Sequence, residues 1–292
     1  MRIFSGLETI VKKDCPLSDY TWYGLGGKAQ YFITPTTTQQ LRDVVTRCNE
    51  NDLPMRVLGL GSNLLVSDKG VRGAVIKLAG EQFSRTDFSE TSVVACAGAN
   101  LSKLVLDCVR KGLSGLEPLT GIPGSVGGAI KMNAGGSFRD IGASVESVTL
   151  MDKQGNIFEK SKPELTFDYR RTNITAKVIL DAKIQLTESD PEQMLRTIKE
   201  IWIYKKNSQP LHTKNAGCVF KNPRGLSAGA IVDRAGLKGT RTGGAMISEK
   251  HANFIITEKG CKSDDVKKLI ATVRKRVKEE FDIELELELE IW

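Results

Sequence analysis

Hydrophobic residues along this chain recur with two periods, one typical of strands and the other typical of helices. Short segments that alternate or run apolar predict strands over 55–60, 73–78, 92–97, 145–151 and 177–186. Apolar residues spaced as on one helix face predict amphipathic helices over 38–51, 101–111, 192–206 and 263–281. Strands and helices mixed in this way indicate α+β or α/β layers.

Residues suited to capping mark the predicted ends of several of these helices. Asn100 is a good N-cap and Gly112 a good C′ residue for the helix over 101–111. Pro191 can begin the next helix, and Ser263 is a suitable N-cap for the last one. Because the composition and the hydrophobic pattern of the sequence change near Asp190, we place a domain boundary there.

Composition indicates an ordinary globular protein. The 292 residues are 40% hydrophobic and 26% charged, enough for two or three modules. No apolar run approaches the roughly 18–20 residues of a membrane span, and the first residues lack a signal peptide's apolar stretch. We therefore expect a cytoplasmic protein with no membrane insertion.

Cysteine and histidine usage argues against a metal site. The six cysteines contain no CxxC pair, and thiols kept reduced are the expected state. Cys48 and Cys108 fall on apolar helix faces and are expected to be buried. With only two histidines, His212 and His251, a three-histidine metal site is impossible, so we predict no metal.

The formal net charge of +7 leaves the kind of anionic partner open. Such a balance fits a solvated lysine-rich surface, nucleic acid or a multiply anionic small ligand. Because the basic residues are scattered and no aromatic-interleaved RNA-binding motif occurs, nucleic acid is disfavoured. A ligand that carries a diphosphate suits the charge equally well.

Two glycine-rich segments are the candidate binding elements. In the first, a predicted strand runs into Gly59, Gly61, Ser62 and Asn63; the second extends over 121–135. Glycines let backbone N–H groups approach a phosphate, and a helix that begins near Ser125 would direct its positive end towards it. The first loop alone could equally be a structural turn, but the two together favour a pyrophosphate cradle. Neither a GxGxxG fingerprint nor a P-loop is present.

These segments resemble the FAD-binding signatures of a known family. LGLGSNLLV (58–66) and GLEPLTGIPGSVGGAIKMNAG (115–135) are similar to those of the UDP-N-acetylenolpyruvoylglucosamine reductase (MurB) family, within the vanillyl-alcohol-oxidase-like group. FDYRRT (167–172), NAGCVFKNP (215–223) and SEKHANF (248–254) agree in the same order. The form of the C-terminal half resembles the shorter, type II branch.

The resemblance implies an α+β fold with a two-lobed FAD-binding region of the PCMH type, followed by a C-terminal α+β substrate-binding domain. The FAD-binding region would extend over 1–190, with lobes over about 1–75 and 76–190, and the substrate-binding domain over 191–292. It also implies NADPH-dependent, FAD-mediated reduction of UDP-N-acetylglucosamine enolpyruvate to UDP-N-acetylmuramate in peptidoglycan synthesis. We expect non-covalent FAD, since neither histidine lies in the FAD half, and a monomer that binds NADPH and a UDP-sugar.

Residues can be carried over from the family's motifs. The implied FAD-binding residues are Gly59, Gly61, Ser62, Asn63, Gly121, Ile122, Pro123, Gly124, Ser125, Gly127, Gly128, Asn133, Ala134 and Gly135. The implied catalytic residues are Arg170, Cys218 and Glu288, and the implied substrate contacts are Tyr169, Lys221 and Asn222.

Each catalytic residue type suits its implied task. Arg170 would grip the substrate carboxylate, because a guanidinium is always charged and can bind bidentately. Cys218 stands where the family most often has serine as proton donor; an ordinary thiol, with a pKa of about 8.5, is protonated at neutral pH yet more acidic than an alcohol. Glu288 stands in the segment Leu-Glu-Leu-Glu-Leu over 285–289, in which Leu287 replaces the proline of the family motif. In a plain strand, Glu286 and Glu288 would face the same side.

Other classes of protein stay possible from the residues. A flavin oxidase or dehydrogenase of the wider group would share the glycine loops but not the set of Arg170, Cys218 and Glu288. A non-catalytic flavin-binding relative could tolerate the two departures from the family motif. A nucleic-acid-binding module would show salt-dependent DNA binding without a yellow cofactor.

Overall fold

The computed structural model describes residues 3–136 and 139–292 and divides into two compact units. Unit 1 comprises the N-terminal residues through Asp14 together with Gln30–Leu60 and Arg72–Ile203. Unit 2 comprises Cys15–Ala29, Gly61–Val71 and Tyr204–Trp292. Residues 15–29 and 61–71 thus pack with the C-terminal residues in unit 2. The predicted domains, in contrast, are continuous in sequence.

The secondary structure of the described residues mixes seven α-helices with nineteen short strands. The α-helices are α1 (Thr38–Glu50), α2 (Glu81–Ser84), α3 (Leu101–Arg110), α4 (Val126–Lys131), α5 (Pro191–Ser208), α6 (Ala228–Arg234) and α7 (Ser263–Phe281). Short 3-10 helices are formed by Glu8–Ile10, Ser18–Tyr20, Glu117–Leu119, Ile141–Ala143 and Lys162–Glu164. The strands are β1 (Val11–Pro16), β2 (Lys28–Ile33), β3 (Met55–Leu58), β4 (Leu64–Leu65), β5 (Val71–Lys77), β6 (Thr86–Ser89), β7 (Ser92–Cys96), β8 (Leu113–Ser114), β9 (Val145–Met151), β10 (Ile157–Ser161), β11 (Phe167–Asp168), β12 (Arg171–Thr172), β13 (Val178–Gln185), β14 (Thr187–Glu188), β15 (Lys214–Cys218), β16 (Arg241–Thr242), β17 (Ala245–Ile247), β18 (Phe254–Thr257) and β19 (Glu290–Ile291).

Unit 1 is built around two sheets and one continuous hydrophobic core. Strands β1-β2-β5-β3 form the first sheet, in which β3 and β5 are parallel. Strands β10-β9-β13-β7-β6 form an antiparallel second sheet. The apolar stripes of α1 and α3 pack into the core, and Cys48 and Cys108 are buried there as predicted. Asn100 caps α3 by accepting a hydrogen bond from the Lys103 N–H at 3.0 Å, which confirms the predicted cap.

Unit 2 has its own core around a four-stranded antiparallel sheet. The strand order is β15-β18-β17-β16, and α7 contacts β16 and β17 through its apolar face. Val266, Leu269 and Val273 on that face are buried, as the helical spacing predicts. The last strand, β19, pairs in parallel with β4, which directly follows the first glycine loop. All six cysteines of the chain are free thiols.

One predicted cap is wrong. Ser263 is not the N-cap of α7 but its first helical residue, and Lys262 occupies the cap position. The Ser263 hydroxyl donates to Asp68 Oδ2 at 2.9 Å and accepts from the Asp68 N–H at 3.0 Å. The capping task is taken by Asp265, whose carboxylate accepts from the Lys262 N–H at 3.0 Å. A tertiary partner 195 residues away therefore displaced the locally preferred role of this serine.

Candidate functional site

The first glycine loop begins where two parallel strands end side by side. Gly59 follows the last residue of β3, Leu58, which lies opposite Lys77 of β5. A Cβ atom added at Gly59 would lie 2.6 Å from Ser125 Oγ, a separation that real Cβ contacts do not show. The structure therefore brings Gly59, where the first glycine loop begins, into direct contact with Ser125 of the second loop; both residues belong to unit 1.

Gly61 is required by its own backbone surroundings. Its φ of +65° lies in the left-handed region, and a Cβ there would collide with the backbone carbonyl of Tyr20. Its carbonyl accepts a hydrogen bond from the Trp22 N–H at 3.0 Å. Close backbone packing by itself accounts for glycine at this position, so Gly61 illustrates the structural alternative left open for this loop.

The second glycine loop leads into α4, but most of that helix's first N–H groups already have protein partners. Helix α4 begins next to Ser125 as predicted, and Ser125 caps it, its Oγ accepting from the Gly128 N–H at 3.3 Å. The N–H groups of Val126 and Gly127 donate to the carbonyls of Ala99 and Ala97 at 2.9 and 2.8 Å. These three amides bond to protein groups, which corrects the prediction that this helix end presents them to a phosphate.

The backbone donors left for an anion precede the helix. Within residues 3–136 and 139–292, the N–H groups of Gly121, Gly124 and Ser125 have no hydrogen-bond partner, whereas that of Ile122 donates to the Leu119 carbonyl at 3.0 Å. Three unpaired N–H groups in one glycine-rich loop are donors that an anion could use. The predicted FAD contacts at these positions are consistent with that arrangement.

Asn133 organises the far end of the same loop. The residue is buried with a φ of +46°; its Oδ1 accepts from the Gly142 N–H at 3.0 Å, and its Nδ2 donates to the Asp168 carbonyl at 2.8 Å. Its side chain is thereby committed to neighbouring protein segments. The predicted FAD contact at Asn133 stays a prediction.

Arg170 is bonded to this loop rather than displayed on the surface. It sits at the tip of the β11–β12 hairpin with a φ of +54°, next to Tyr169, which is 46% exposed. Its Nη2 donates to the Gly135 carbonyl at 2.6 Å, and its Nη1 lies 3.4 Å from the Asn133 carbonyl and 3.3 Å from Asp140 Oδ1. The arginine predicted to bind substrate thus anchors the end of the predicted flavin loop.

Cys218 ends β15 at an irregularity in unit 2. The register of β15 against β18 shifts between Asn215 and Cys218, and Gly217 between them has a φ of +75°. The Gly217 N–H donates to Asn215 Oδ1 at 3.0 Å, which stabilises the irregular backbone. Such irregularities redirect a side chain relative to the regular strand, and here the thiol of Cys218 is half-buried.

The SEKHANF motif supports this segment structurally. Asn253 is buried; its Nδ2 donates to the Phe220 carbonyl at 2.8 Å, and its Oδ1 accepts from the Phe220 N–H at 2.9 Å. His251 Nδ1 accepts from the Asn253 N–H at 3.2 Å, and burial lowers the pKa of the imidazole. Asn253 is a supporting residue that sequence reasoning did not single out, although it lies within a quoted motif.

The segment that carries Glu288 runs alongside the residues that follow Cys218. The N–H groups of Glu288 and Leu289 both donate to the Val219 carbonyl, at 2.9 and 3.2 Å. The Lys221 N–H donates to the Glu286 carbonyl at 2.9 Å. Two amides on one carbonyl form a bulge, which breaks strict alternation of side chains.

The two candidate glutamates lie in different environments. Glu286 is exposed, with 77% of its side chain accessible, and its Oε2 pairs with Lys221 Nζ at 3.3 Å. Glu288 is half-buried. The expectation that both glutamates face the same side applies to a plain strand. Because Glu288 is the more buried of the two, we favour it as the functional carboxylate.

The two predicted substrate contacts near Cys218 also have protein partners. Lys221 forms the ion pair with Glu286, and Asn222 Oδ1 accepts from the Ala228 N–H at 3.0 Å, at the start of α6. Asn222 therefore fixes a helix end besides any contact it makes with a ligand. Its role as a substrate contact stays a prediction.

Lys77 is a candidate site residue that sequence reasoning missed. Its Nζ donates to the Gly59 carbonyl at 3.0 Å, and burial lowers the pKa of its ammonium group. A half-buried cation at the start of a glycine loop is suited to an anionic ligand. The available signal was a single charged residue within the apolar run Ala74-Val75-Ile76-Lys77-Leu78.

Comparison with known proteins defines the class of the protein. A family model described as FAD binding domain matches residues 29–161, and one described as UDP-N-acetylenolpyruvoylglucosamine reductase, C-terminal domain, matches residues 209–292. The chain is thus an FAD-dependent oxidoreductase of α+β fold, with an FAD-binding part followed by that C-terminal domain.

Full-length similarity identifies the family. The UDP-N-acetylenolpyruvoylglucosamine reductase of Syntrophus aciditrophicus is 40% identical over 282 residues, which is 95% of this chain and 90% of the relative. The crystal structure of the reductase named MurB from Thermus caldophilus has a TM-score of 0.84 and 40% identity, covering 97% of this chain and 98% of that one. The chain belongs to the UDP-N-acetylenolpyruvoylglucosamine reductase (MurB) family, which confirms the resemblance seen in the sequence.

A more distant likeness bears on the fold alone. Phl p 4.0202, a glucose dehydrogenase, has a TM-score of 0.51 at 15% identity, covering 63% of this chain and 42% of that protein. Part of the fold is therefore shared with that protein. Among the described residues, no helix is both long and apolar enough to cross a membrane.

Proposed function

We propose that this protein catalyses the NADPH-dependent reduction of UDP-N-acetylglucosamine enolpyruvate to UDP-N-acetylmuramate. Membership of the family supports the activity, and one observation within unit 2 carries it. The Glu288 segment is hydrogen-bonded to Val219, the residue next to Cys218, so a thiol and a carboxylate lie on adjoining backbone. In this proposal the reaction serves peptidoglycan synthesis, and through it cell shape and division, in the cytoplasm, with the protein acting as a monomer.

The residues of unit 1 fit FAD as the cofactor. Gly59 faces Ser125 so closely that a Cβ would fill the space, and the N–H groups of Gly121, Gly124 and Ser125 are unpaired among the described residues. These donors, with the ammonium of Lys77, would hold the diphosphate. When bound, FAD supplies the hydride chemistry, taking hydride from NADPH and giving it to C3 of the enolpyruvyl group.

The proposed roles of the protein's own residues follow from charge. Addition of hydride at C3 places negative charge at C2 and on the adjoining carboxylate. Arg170 would bind that carboxylate through its guanidinium fork, and the Cys218 thiol would donate a proton to C2. Glu288 would orient the substrate or assist this proton transfer. Lys221, Asn222 and Tyr169 would contact the substrate, with Lys221 directed to phosphate.

The test is a spectrum recorded in two anaerobic steps. NADPH should bleach the flavin absorbance of the purified holoprotein, and UDP-N-acetylglucosamine enolpyruvate should then restore it. Bleaching without restoration would contradict the proposed substrate and favour an oxidase-like or non-catalytic relative. A protein that takes up no FAD at all would contradict the glycine-loop assignment.

Replacement of Lys77 by methionine is expected to weaken FAD binding by about 10- to 100-fold. The reason is that a charge-assisted hydrogen bond to a buried anion contributes about 1.5–3 kcal/mol. Flavin fluorescence quenching measures the dissociation constants of FAD and of riboflavin, which lacks phosphate. Riboflavin affinity should be unchanged, and Lys153→Met, at an exposed lysine, should alter neither affinity. Equal losses for both flavins would show that Lys77 contacts no phosphate.

A further inference from the structure

Asn63, the last residue of the first glycine loop, is bonded to the segment that carries Glu288. Its Nδ2 donates to the Glu288 carbonyl at 2.9 Å, and its own carbonyl accepts from the Glu290 N–H at 3.1 Å. All three residues belong to unit 2. Because the acceptor of the side-chain bond is a carbonyl, only the amide nitrogen of Asn63 can face it. The sequence resemblance implies an FAD contact for the same residue.

Glu288 is therefore held from two sides. Asn63 binds its carbonyl, and the Val219 carbonyl accepts from its N–H at 2.9 Å. Together these bonds fix the peptide units on both sides of the Glu288 Cα, and with them the direction in which its side chain leaves the backbone. The bulge at this point leaves Glu288 without the regular ladder that would otherwise position it.

The contribution of the Asn63 side chain can be removed without removing the strand. Glu290 pairs with Leu64 and Ile291 with Leu65 through backbone hydrogen bonds, and the Trp292 N–H donates to the Leu65 carbonyl at 2.9 Å. These bonds do not depend on any side chain. Loss of the Asn63 amide should therefore loosen Glu288 locally while β19 stays paired with β4.

We propose that Asn63 is a positioning residue for Glu288, connecting the first glycine loop to the carboxylate used in the substrate half-reaction. This inference rests on the proposed function, which assigns Glu288 to that half-reaction. Displacement of a reacting group by about 1 Å can cost about 100-fold in rate, so a local change at the backbone has a measurable consequence.

The experiment compares Asn63→Ala with the unmodified holoprotein in four measurements. Restoration of the flavin band by UDP-N-acetylglucosamine enolpyruvate should slow by about 10- to 100-fold. Bleaching by NADPH and the dissociation constant for FAD should change by less than about threefold, below the effect of a lost charge-assisted bond. Amide hydrogen exchange should accelerate in the peptide over 286–290, since the segment has lost a tether.

A matched control and a double substitution make the test specific. Asn51 Nδ2 also donates to a backbone carbonyl, that of Arg47 at 2.8 Å, at the end of α1, so Asn51→Ala should change none of the four measurements. In a Glu288→Gln background, Asn63→Ala should slow restoration no further, because both changes act through one side chain. Asn63→Ser provides a smaller polar replacement if the alanine variant does not fold.

Three outcomes would overturn the inference. Weaker FAD binding with equal slowing of both half-reactions would show that Asn63 is a cofactor contact, as first predicted from the sequence. Additive losses in the double variant would show that it acts independently of Glu288. Unchanged restoration in a folded Asn63→Ala protein would remove the role altogether. Failure of the unmodified protein to be restored by the sugar nucleotide would instead contradict the proposed function.

Discussion

Substitution of Cys218 by alanine should slow restoration of the flavin band by the enolpyruvyl sugar nucleotide by about 10²- to 10⁴-fold, while bleaching by NADPH is preserved. The expected size is that of a lost general acid. The thiol ends β15 at a backbone irregularity and is half-buried, so alanine removes one sulfur atom without disturbing the core. Stopped-flow absorbance measures the two half-reactions separately.

Serine at the same position distinguishes a proton donor from a packing residue. Cys218→Ser replaces the thiol by a hydroxyl donor of similar size. It should therefore retain far more of the restoration rate than alanine does. Equal rates in the alanine variant and the unmodified protein would show that another group supplies the proton.

Alkylation provides a check that does not depend on substitution alone. Of the six free cysteines, Cys15 and Cys218 are half-buried and the other four are buried. Iodoacetamide should therefore inactivate the unmodified protein and Cys15→Ser, but not Cys218→Ser, since only a thiolate reacts. Inactivation of Cys218→Ser at the same rate would show that the sensitive thiol lies elsewhere.

Substitution of Arg170 by alanine should impair both stability and the substrate half-reaction. The guanidinium is bonded to the carbonyls of Gly135 and Asn133 and to Asp140, and only 13% of its side chain is exposed. Hydrogen bonds to charged groups contribute about 1.5–3 kcal/mol each, so we expect the free energy of unfolding to fall by about 3 kcal/mol. Loss of the carboxylate-binding group should also slow flavin restoration by about 10²-fold at saturating FAD.

The neighbouring arginine is the matched control for this prediction. Arg171 is exposed and lies in β12, so Arg171→Ala should change stability by less than about 0.5 kcal/mol and leave both half-reactions unchanged. Arg170→Lys keeps the charge but not the guanidinium fork, so its restoration rate should lie between those of Arg170→Ala and the unmodified protein. If Arg170→Ala lowers stability and FAD affinity but restores flavin normally once saturated, the arginine anchors the loop and does not bind the substrate carboxylate.

The regular elements were accessible from the sequence because their signals are local. The helical spacing over 38–51 and 101–111 predicted α1 and α3 to within one residue at the C-terminal end, and the apolar run over 145–151 coincides with β9. Each signal is contained within about ten consecutive residues, over which side-chain period and capping chemistry decide the element. The glycine loops and the motif residues of the site were recognisable for the same reason.

Other local arrangements depended on partners distant in sequence. The Ser263 hydroxyl pairs with Asp68, and the first N–H groups of α4 go to Ala97 and Ala99 rather than to a ligand. No local pattern indicates these contacts, because each competes with a locally reasonable alternative.

The sequence by itself thus determined the main helices, several strands and the family of the chain, and it nominated the candidate reactive groups. The tertiary structure decided how those groups are directed. Glu286 is exposed whereas Glu288 is half-buried, Lys77 bonds Gly59 from the neighbouring strand, and Asn63 bonds a carbonyl 225 residues away. Periodicity depends on neighbouring residues, whereas the direction of a side chain depends on the distant backbone groups that contact it in the folded protein.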